Sequence, residues 1–252
     1  MNRKLVLGIL LGGVCLFSAC RPMYDVTHVE GGVVVMDSVW DANPDAAAIA
    51  LIAPYKAKID SVMYRVIGES ELFMGTGRPE SLLSNLVADV LRQSASATLG
   101  HPADMGLVNM GGLRSSLSQG PVTVSTAFEI LPFENTLCIL TLKGSVLKQL
   151  FENIAVRNGE GVSGVNLVIS KDRKLVSAAI QGKPVVDDQD YTVATIDYLA
   201  EGNDGMTALI QAHQRVCPDN SILRDLFIRY VEQLQAQGKK LISRMESRIV
   251  IK

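Results

Sequence analysis

The stretch from Ala103 to Asn135, ADMGLVNMGGLRSSLSQGPVTVSTAFEILPFEN, concentrates chemically awkward residues in turns. It opens on an apolar run, Met105 to Val108, that suits a buried strand, and breaks at Asn109. Gly111 and Gly112 follow, allowing backbone angles that other residues avoid and leaving amides uncovered for a ligand. Arg114 comes directly after. At a second turn, Pro132-Phe133-Glu134-Asn135 sets a flat ring and an amide side chain before another apolar run, Leu137 to Leu142. A cation, a ring and two amides near strand ends suit an anionic ligand with a flat base. A further loop, Asp197-Tyr198-Leu199-Ala200-Glu201-Gly202-Asn203-Asp204-Gly205, adds turn residues and another ring straight after the β-branched run Tyr191 to Ile196.

Each of these residues also has an ordinary reading. Phe133 alone is more often a core ring than a stacking platform. Arg114 alone reads as a solvated or salt-bridged loop residue, and Asp204 as a turn former. Asn109 and Asn135 could simply satisfy turn backbones. The three histidines, His28, His101 and His213, read as surface or packing residues.

The elements that must position these turns can be laid out in order. Val33 to Val35 suggests a short strand. Asp45 is a good N-cap for a helix to about Val62, in which Pro54 argues for a kink or a late start. Val66 to Phe73 is compatible with a strand, Gly75 to Pro79 with a loop, and Pro79 with the first turn of the next helix. Glu80 to about Ser96 carries Leu83, Leu86, Val87, Val90 and Leu91 on one side, the stripe of an amphipathic helix. Gly144 turns the Leu137–Leu142 strand into a helix over Ser145–Ala155. Val165–Ile169 and Leu175–Ile180 form a strand pair joined by the Lys171-Asp172-Arg173 turn. A last helix spans about Ser221–Gln237, and Arg248 to Ile251 closes the sheet. Helices and strands mix without strict alternation, so the expected class is α+β, a mixed β-sheet packed with helices, rather than a doubly wound fold.

The chain has 252 residues, 48% hydrophobic and 20% charged, which is ordinary for a globular protein and excludes disorder. A formal net charge of −2 offers no basic stripe, so no nucleic-acid polymer is expected as a partner. At the N-terminus, Asn2-Arg3-Lys4 is basic and Leu5 to Phe17 apolar but short for a bilayer span, the pattern of a secretory signal. Leu16-Phe17-Ser18-Ala19-Cys20 resembles the lipobox of bacterial lipoproteins. It implies a signal peptide over 1–19, lipid on Cys20 as the membrane attachment, a tether and lead-in over 20–45 and a folded domain over 46–252. The expected location is extracytoplasmic, lipid-anchored to a bacterial membrane, periplasmic or at the cell surface. Of the four cysteines only Cys138 and Cys217 then stay in the folded part, and two separate free thiols are expected, although an oxidising compartment permits a bridge.

Asn109-Met110-Gly111-Gly112-Leu113-Arg114, Leu131 to Asn135 and Tyr198 to Met206 resemble the N-x-GG-x-R, PF-x-N and F-x-x-x-GGDGY signatures of the C-terminal domain of 5'-nucleotidases. Glu80-Ser81, Asn85-Leu86 and Asp89 resemble that domain's opening helix. The similarity runs from about Val66 to Lys252, with the motifs in order. In that family this domain holds the nucleoside: two rings sandwich the base, a carboxylate contacts the ribose hydroxyls, and arginines and an asparagine line the pocket. The resemblance therefore assigns stacking to Phe133 and Tyr198, ribose contact to Asp204, and polar contacts to Arg114 and Asn135. Asn109, Gly111 and Gly112 complete the set, and Arg78 lies near the family's upstream arginines. Tyr198 stands where the family has Phe, Met206 where it usually has Tyr, and Asn203 where it has a second Gly, which asks Asn203 to accept an angle that Gly takes freely.

Full-length relatives of that kind cleave the phosphate ester in a separate metallophosphoesterase domain, with two divalent metals held by Asp, His and Asn. None of the three histidines here lies in such a motif. The expectation is a chain with no cofactor of its own, holding a nucleoside or nucleotide, and acting in extracytoplasmic nucleotide catabolism with a separately encoded metallophosphoesterase chain that carries the metals. The alternatives are a non-catalytic nucleoside- or nucleotide-binding lipoprotein and a scaffold whose pocket has decayed.

Overall fold

The computed structural model describes residues 26–252. The expected signal peptide and the lipid-bearing Cys20 lie outside these residues. The chain divides into two compact units, one ending at Leu51 and one running from Ile52 to Lys252.

In the first unit, Val33 to Val35 is exposed and forms no strand. The sequence expectation fails here because three β-branched residues find no partner strand, and isolated strands do not persist in water. Asp37 caps a short 3-10 turn, Ser38–Ala42, by accepting from Val39 N–H, and Trp40 Nε1 donates to Val35 O at 2.6 Å. Helix α1, Ala46–Met63, begins where Asp45 Oδ1 accepts from Ala47 N–H at 2.8 Å and Ala48 N–H at 3.1 Å. Pro54 lies inside it and does not delay its start. None of the helix's residues is buried, so water can satisfy the carbonyl that the proline leaves without a donor.

The second unit is α+β, with three sheets. The five-stranded sheet orders β10 (Gln214–Val216), β4 (Leu137–Lys143), β9 (Asp190–Ile196), β2 (Met105–Val108) and β5 (Gly161–Ser163). Strands β4 and β9 pair antiparallel over seven residues from Leu137↔Ile196 to Lys143↔Asp190, whereas β2 runs parallel to β9. A four-stranded sheet orders β11 (Ile249–Ile251), β6 (Val165–Ile169), β7 (Leu175–Ile180) and β8 (Lys183–Pro184). The β6–β7 hairpin turns where the sequence places it, with Arg173 at φ 61°. The third sheet is the pair β1 (Val66–Ser70) and β3 (Gly120–Thr123).

Helix α2, Leu82–Ser94, buries Leu83, Leu86, Val87, Val90 and Leu91, the stripe read from its spacing. Pro79 is not in its first turn. The helix is started instead by a capping box in which Ser81 accepts from Ser84 N–H, and Pro79 lies two residues ahead of that cap, in the loop. Helix α3, Ser96–Leu99, continues it, and α4, Val124–Ile130, follows β3 under a Thr123 cap. Helix α5, Gly144–Val156, packs so closely that a Cβ on Gly144 would lie 2.0 Å from Val186 O. A short helix α6, Asp197–Ala200, leaves the end of β9, and α7, Leu223–Ala236, buries Leu223, Phe227 and Val231.

Cys138 and Cys217 are joined in a disulfide, which overturns the expectation of two free thiols. Periodicity places Cys138 in a buried strand but says nothing of β10, the three-residue edge strand that sets Cys217 beside it.

Candidate functional site

Strand directions bring the three loops to one edge of the five-stranded sheet. Because β4 and β9 are antiparallel, the start of β4 meets the end of β9 at Leu137↔Ile196. Because β2 is parallel to β9, its C-terminal end arrives at the same edge. Asn109 and the Met110–Gly112 turn leave β2, Pro132–Asn135 enters β4, and Tyr198 to Gly205 leaves β9. Backbone bonds hold these loops: Asp197 N–H donates to Thr136 O, tying two of them together, and Leu223 N–H, at the start of α7, donates to Asn135 O, both at 2.9 Å.

Between them lies a cavity of about 320 Å³ lined by Asn109, Gly111, Gly112, Phe133, Asn135, Tyr198 and Asp204. Phe133 is 48% exposed and Tyr198 40%, so neither ring belongs to the core. Both line the cavity. Met206 is the opposite case: it is fully buried and faces the core rather than the cavity.

Asp204 is the carboxylate of this group and is firmly placed. Asn109 Nδ2 donates to its Oδ2 at 2.8 Å, Arg157 approaches the same oxygen at 3.6 Å, and Tyr198 Oη stands 3.4 Å from Oδ1. The left-handed angle expected at Asn203 falls instead on Asp204, at φ 54°, between Gly202 and Gly205. Aspartate tolerates that region better than most residues. Asn203 is used differently, its Nδ2 donating to Tyr198 O at 2.9 Å.

Two of the candidate residues do not line the cavity. Arg114 is exposed, and its guanidinium reaches only Gly111 O at 3.4 Å. Arg78 turns away, donating from Nε to Arg157 O at 2.9 Å and through its NH2 group to Glu160 Oε1 at 2.5 Å. A buried carboxylate offers it stronger electrostatics than open solvent would.

Three residues that hold the loops carry no motif of their own. Glu160, 1% exposed, accepts from Met110 N–H, Arg78 and Arg157. Its hydrogen bond raises the Arg157 guanidinium pKa further above the ordinary arginine value. Arg224, on α7, points three contacts of 3.3 to 3.5 Å at the carbonyls of Leu131, Pro132 and Phe133, and stacks 3.9 Å from the Phe128 ring centroid. The available signals were faint: a glutamate bracketed by Gly159 and Gly161, and an arginine beside the apolar stripe of a helix.

Residues 66–211 match the family model of the 5'-nucleotidase C-terminal domain. The chain belongs to this family. The 5'-nucleotidase precursor of Thermus thermophilus superposes with a TM-score of 0.70 at 28% identity, covering 84% of this chain and 44% of that one. The trifunctional nucleotide phosphoesterase protein YfkN of Bacillus subtilis is 25% identical over 241 residues, 86% of this chain and 16% of its own length. Cell wall protein Lmo0130 of Listeria monocytogenes is 26% identical over 238 residues, 83% of this chain and 30% of its own length. The chain thus spans less than half the length of each of these three.

Among the described residues no three His, Cys, Asp or Glu side chains gather where a metal ion could be held. Also among them, no helix is long and apolar enough to cross a membrane.

Proposed function

We propose that this 5'-nucleotidase C-terminal domain holds a nucleoside or nucleotide in the cavity at the sheet edge. The base would lie between Phe133 and Tyr198, the ribose against Asp204, and polar atoms against Asn109, Asn135 and the amides of Gly111 and Gly112. The observation that carries this reading is the pair of half-exposed rings beside a single, hydrogen-bonded carboxylate in one cavity. Arg114, exposed near the rim, and Arg78, behind the loops, are less direct contributors than the motif suggests.

Hydrolysis of a phosphate ester by two metals needs closely placed ligands. We assign that step to a separate metallophosphoesterase chain docked so that the cavity faces its metals, and the divalent ions to that chain. Plain capture of a nucleoside, without a catalytic chain, is the second reading. We place the protein outside the cytoplasm, a location supported by the Cys138–Cys217 bridge, a bond of oxidising compartments, and by the likeness to a cell wall protein; lipid on Cys20 rests on the Leu16–Cys20 sequence pattern alone.

The test is calorimetric titration of the protein with adenosine, AMP and a nucleotide-sugar, beside a Phe133→Ala, Tyr198→Ala double variant. Base stacking is worth ~1–3 kcal/mol per base, so the double variant should lose tenfold or more in affinity. An unchanged affinity in the variant would remove the stacking role. No binding of any ligand by the unaltered protein would remove the nucleoside reading. Adding a 5'-nucleotidase-type metallophosphoesterase chain to the bound AMP then separates hydrolysis from capture.

A further inference from the structure

A charged cluster outside all three motifs lies behind the cavity and links two of its loops. Glu160 Oε2 accepts from Met110 N–H at 2.5 Å, at the first residue of the turn that carries Gly111 and Gly112. Its Oε1 takes the Arg78 NH2 group and Arg157 Nε, each at 2.5 Å. Arg157 also reaches the other loop, its NH2 group lying 3.6 Å from Asp204 Oδ2. The formal charges balance: two guanidinium groups face the carboxylates of Glu160 and Asp204. Removing the Arg157 charge would leave Asp204 without the only cation within 4 Å of it among the described ion pairs.

The two oxygens of Asp204 are not equivalent. Oδ2 is committed to the protein by Asn109 at 2.8 Å and by Arg157. Oδ1 has only the 3.4 Å contact with Tyr198 Oη, at the outer limit of a hydrogen bond. An ionised carboxylate accepts and never donates, so the free capacity at Oδ1 suits a ligand hydroxyl and disfavours an anionic group.

We propose that Arg157 is a specificity-determining positioning residue: by anchoring Asp204 through Oδ2 it keeps Oδ1 available to a sugar hydroxyl, making the cavity select ribonucleosides over 2'-deoxyribonucleosides. The inference rests on the nucleoside reading of the cavity and goes beyond it, since it assigns sugar discrimination to a residue that touches no ligand. A site built to hydrogen-bond a hydroxyl rejects the analogue that lacks it, because the acceptor is then left unpaired.

The experiment is a titration of the whole protein with adenosine and 2'-deoxyadenosine, repeated on Arg157→Gln, Arg157→Lys and Asp204→Asn. The unaltered protein should prefer adenosine by about tenfold, the worth of one hydrogen bond to a charged group. Arg157→Gln should bring the two nucleosides to within about twofold, mainly by weakening adenosine, with Arg157→Lys restoring part of the gap because it keeps the charge. Arg157 is partly exposed, so these variants should fold. An equal loss for both nucleosides in Arg157→Gln would reduce Arg157 to a brace and overturn the proposal, as would an unchanged ratio. Should the unaltered protein bind both sugars equally, this inference alone falls. Should it bind neither, the nucleoside reading falls with it.

Discussion

Arg224 shows how much of the cavity depends on a side chain that does not line it. It is 6% exposed, and its guanidinium gathers three consecutive carbonyls of the turn that presents Phe133. Arg224→Met keeps much of the volume but removes every donor. The expected outcome is a loss of about 2 kcal/mol in urea unfolding, together with weaker nucleoside binding as the Phe133 turn relaxes. A stability loss with unchanged binding would show that the turn holds itself. The residues that do line the cavity were legible because each sits where an apolar run breaks into glycine, proline or amide. Glu160, Arg157 and Arg224 were not. Their partners at Arg78, Asp204 and Phe133 lie 82, 47 and 91 positions away, and only the fold brings them together. The same holds for Arg78, whose place near a motif gave no hint that a buried carboxylate would claim it.

At the scale of elements, the cavity is only as well placed as the strands that end at it. Strand β2 delivers Asn109 and passes under α2 so closely that a Cβ on Gly106 would lie 2.4 Å from Ala88 O, a backbone atom that cannot step aside. Gly106→Ala must therefore push strand from helix. A loss of at least about 2 kcal/mol is expected from chemical denaturation, with a shift of the Asn109 turn visible in amide spectra. A variant of native stability would mean that helix and strand have more freedom than this contact allows. Long periodic elements such as α2, α5, β4 and β9 were readable because their apolar spacing repeats often enough to exclude another period. Strands β3 (GPVT), β5 (GVS) and β10 (QRV) were not, since glycine, proline or polar residues break them, whereas the equally short β11 is an unbroken Ile-Val-Ile run. Val33–Val35 erred the other way: β-branched residues favour a strand only where a neighbour exists to pair with.

Across the whole molecule, the Cys138–Cys217 bond closes a covalent ring over a sequence separation of 79. A loop of that size contributes about 4 kcal/mol in the chain-entropy account of cross-links, by restricting the unfolded chain. The ring also divides the cavity in an uneven way. Phe133 and Asn135 lie before it, while Tyr198 and Asp204 lie inside it, beyond the β6–β7 hairpin. That hairpin tip, Lys171 to Lys174, is exposed and carries three basic residues. Trypsin should cut it first, and the two pieces should then migrate as one species on a gel until a thiol is added. Separation without thiol would show that Cys138 and Cys217 are not joined. A protein nicked there would be two chains in sequence and one in covalent fact, with five of the lining residues on one piece and two on the other, so a cut at the hairpin tip need not part the two sides of the cavity.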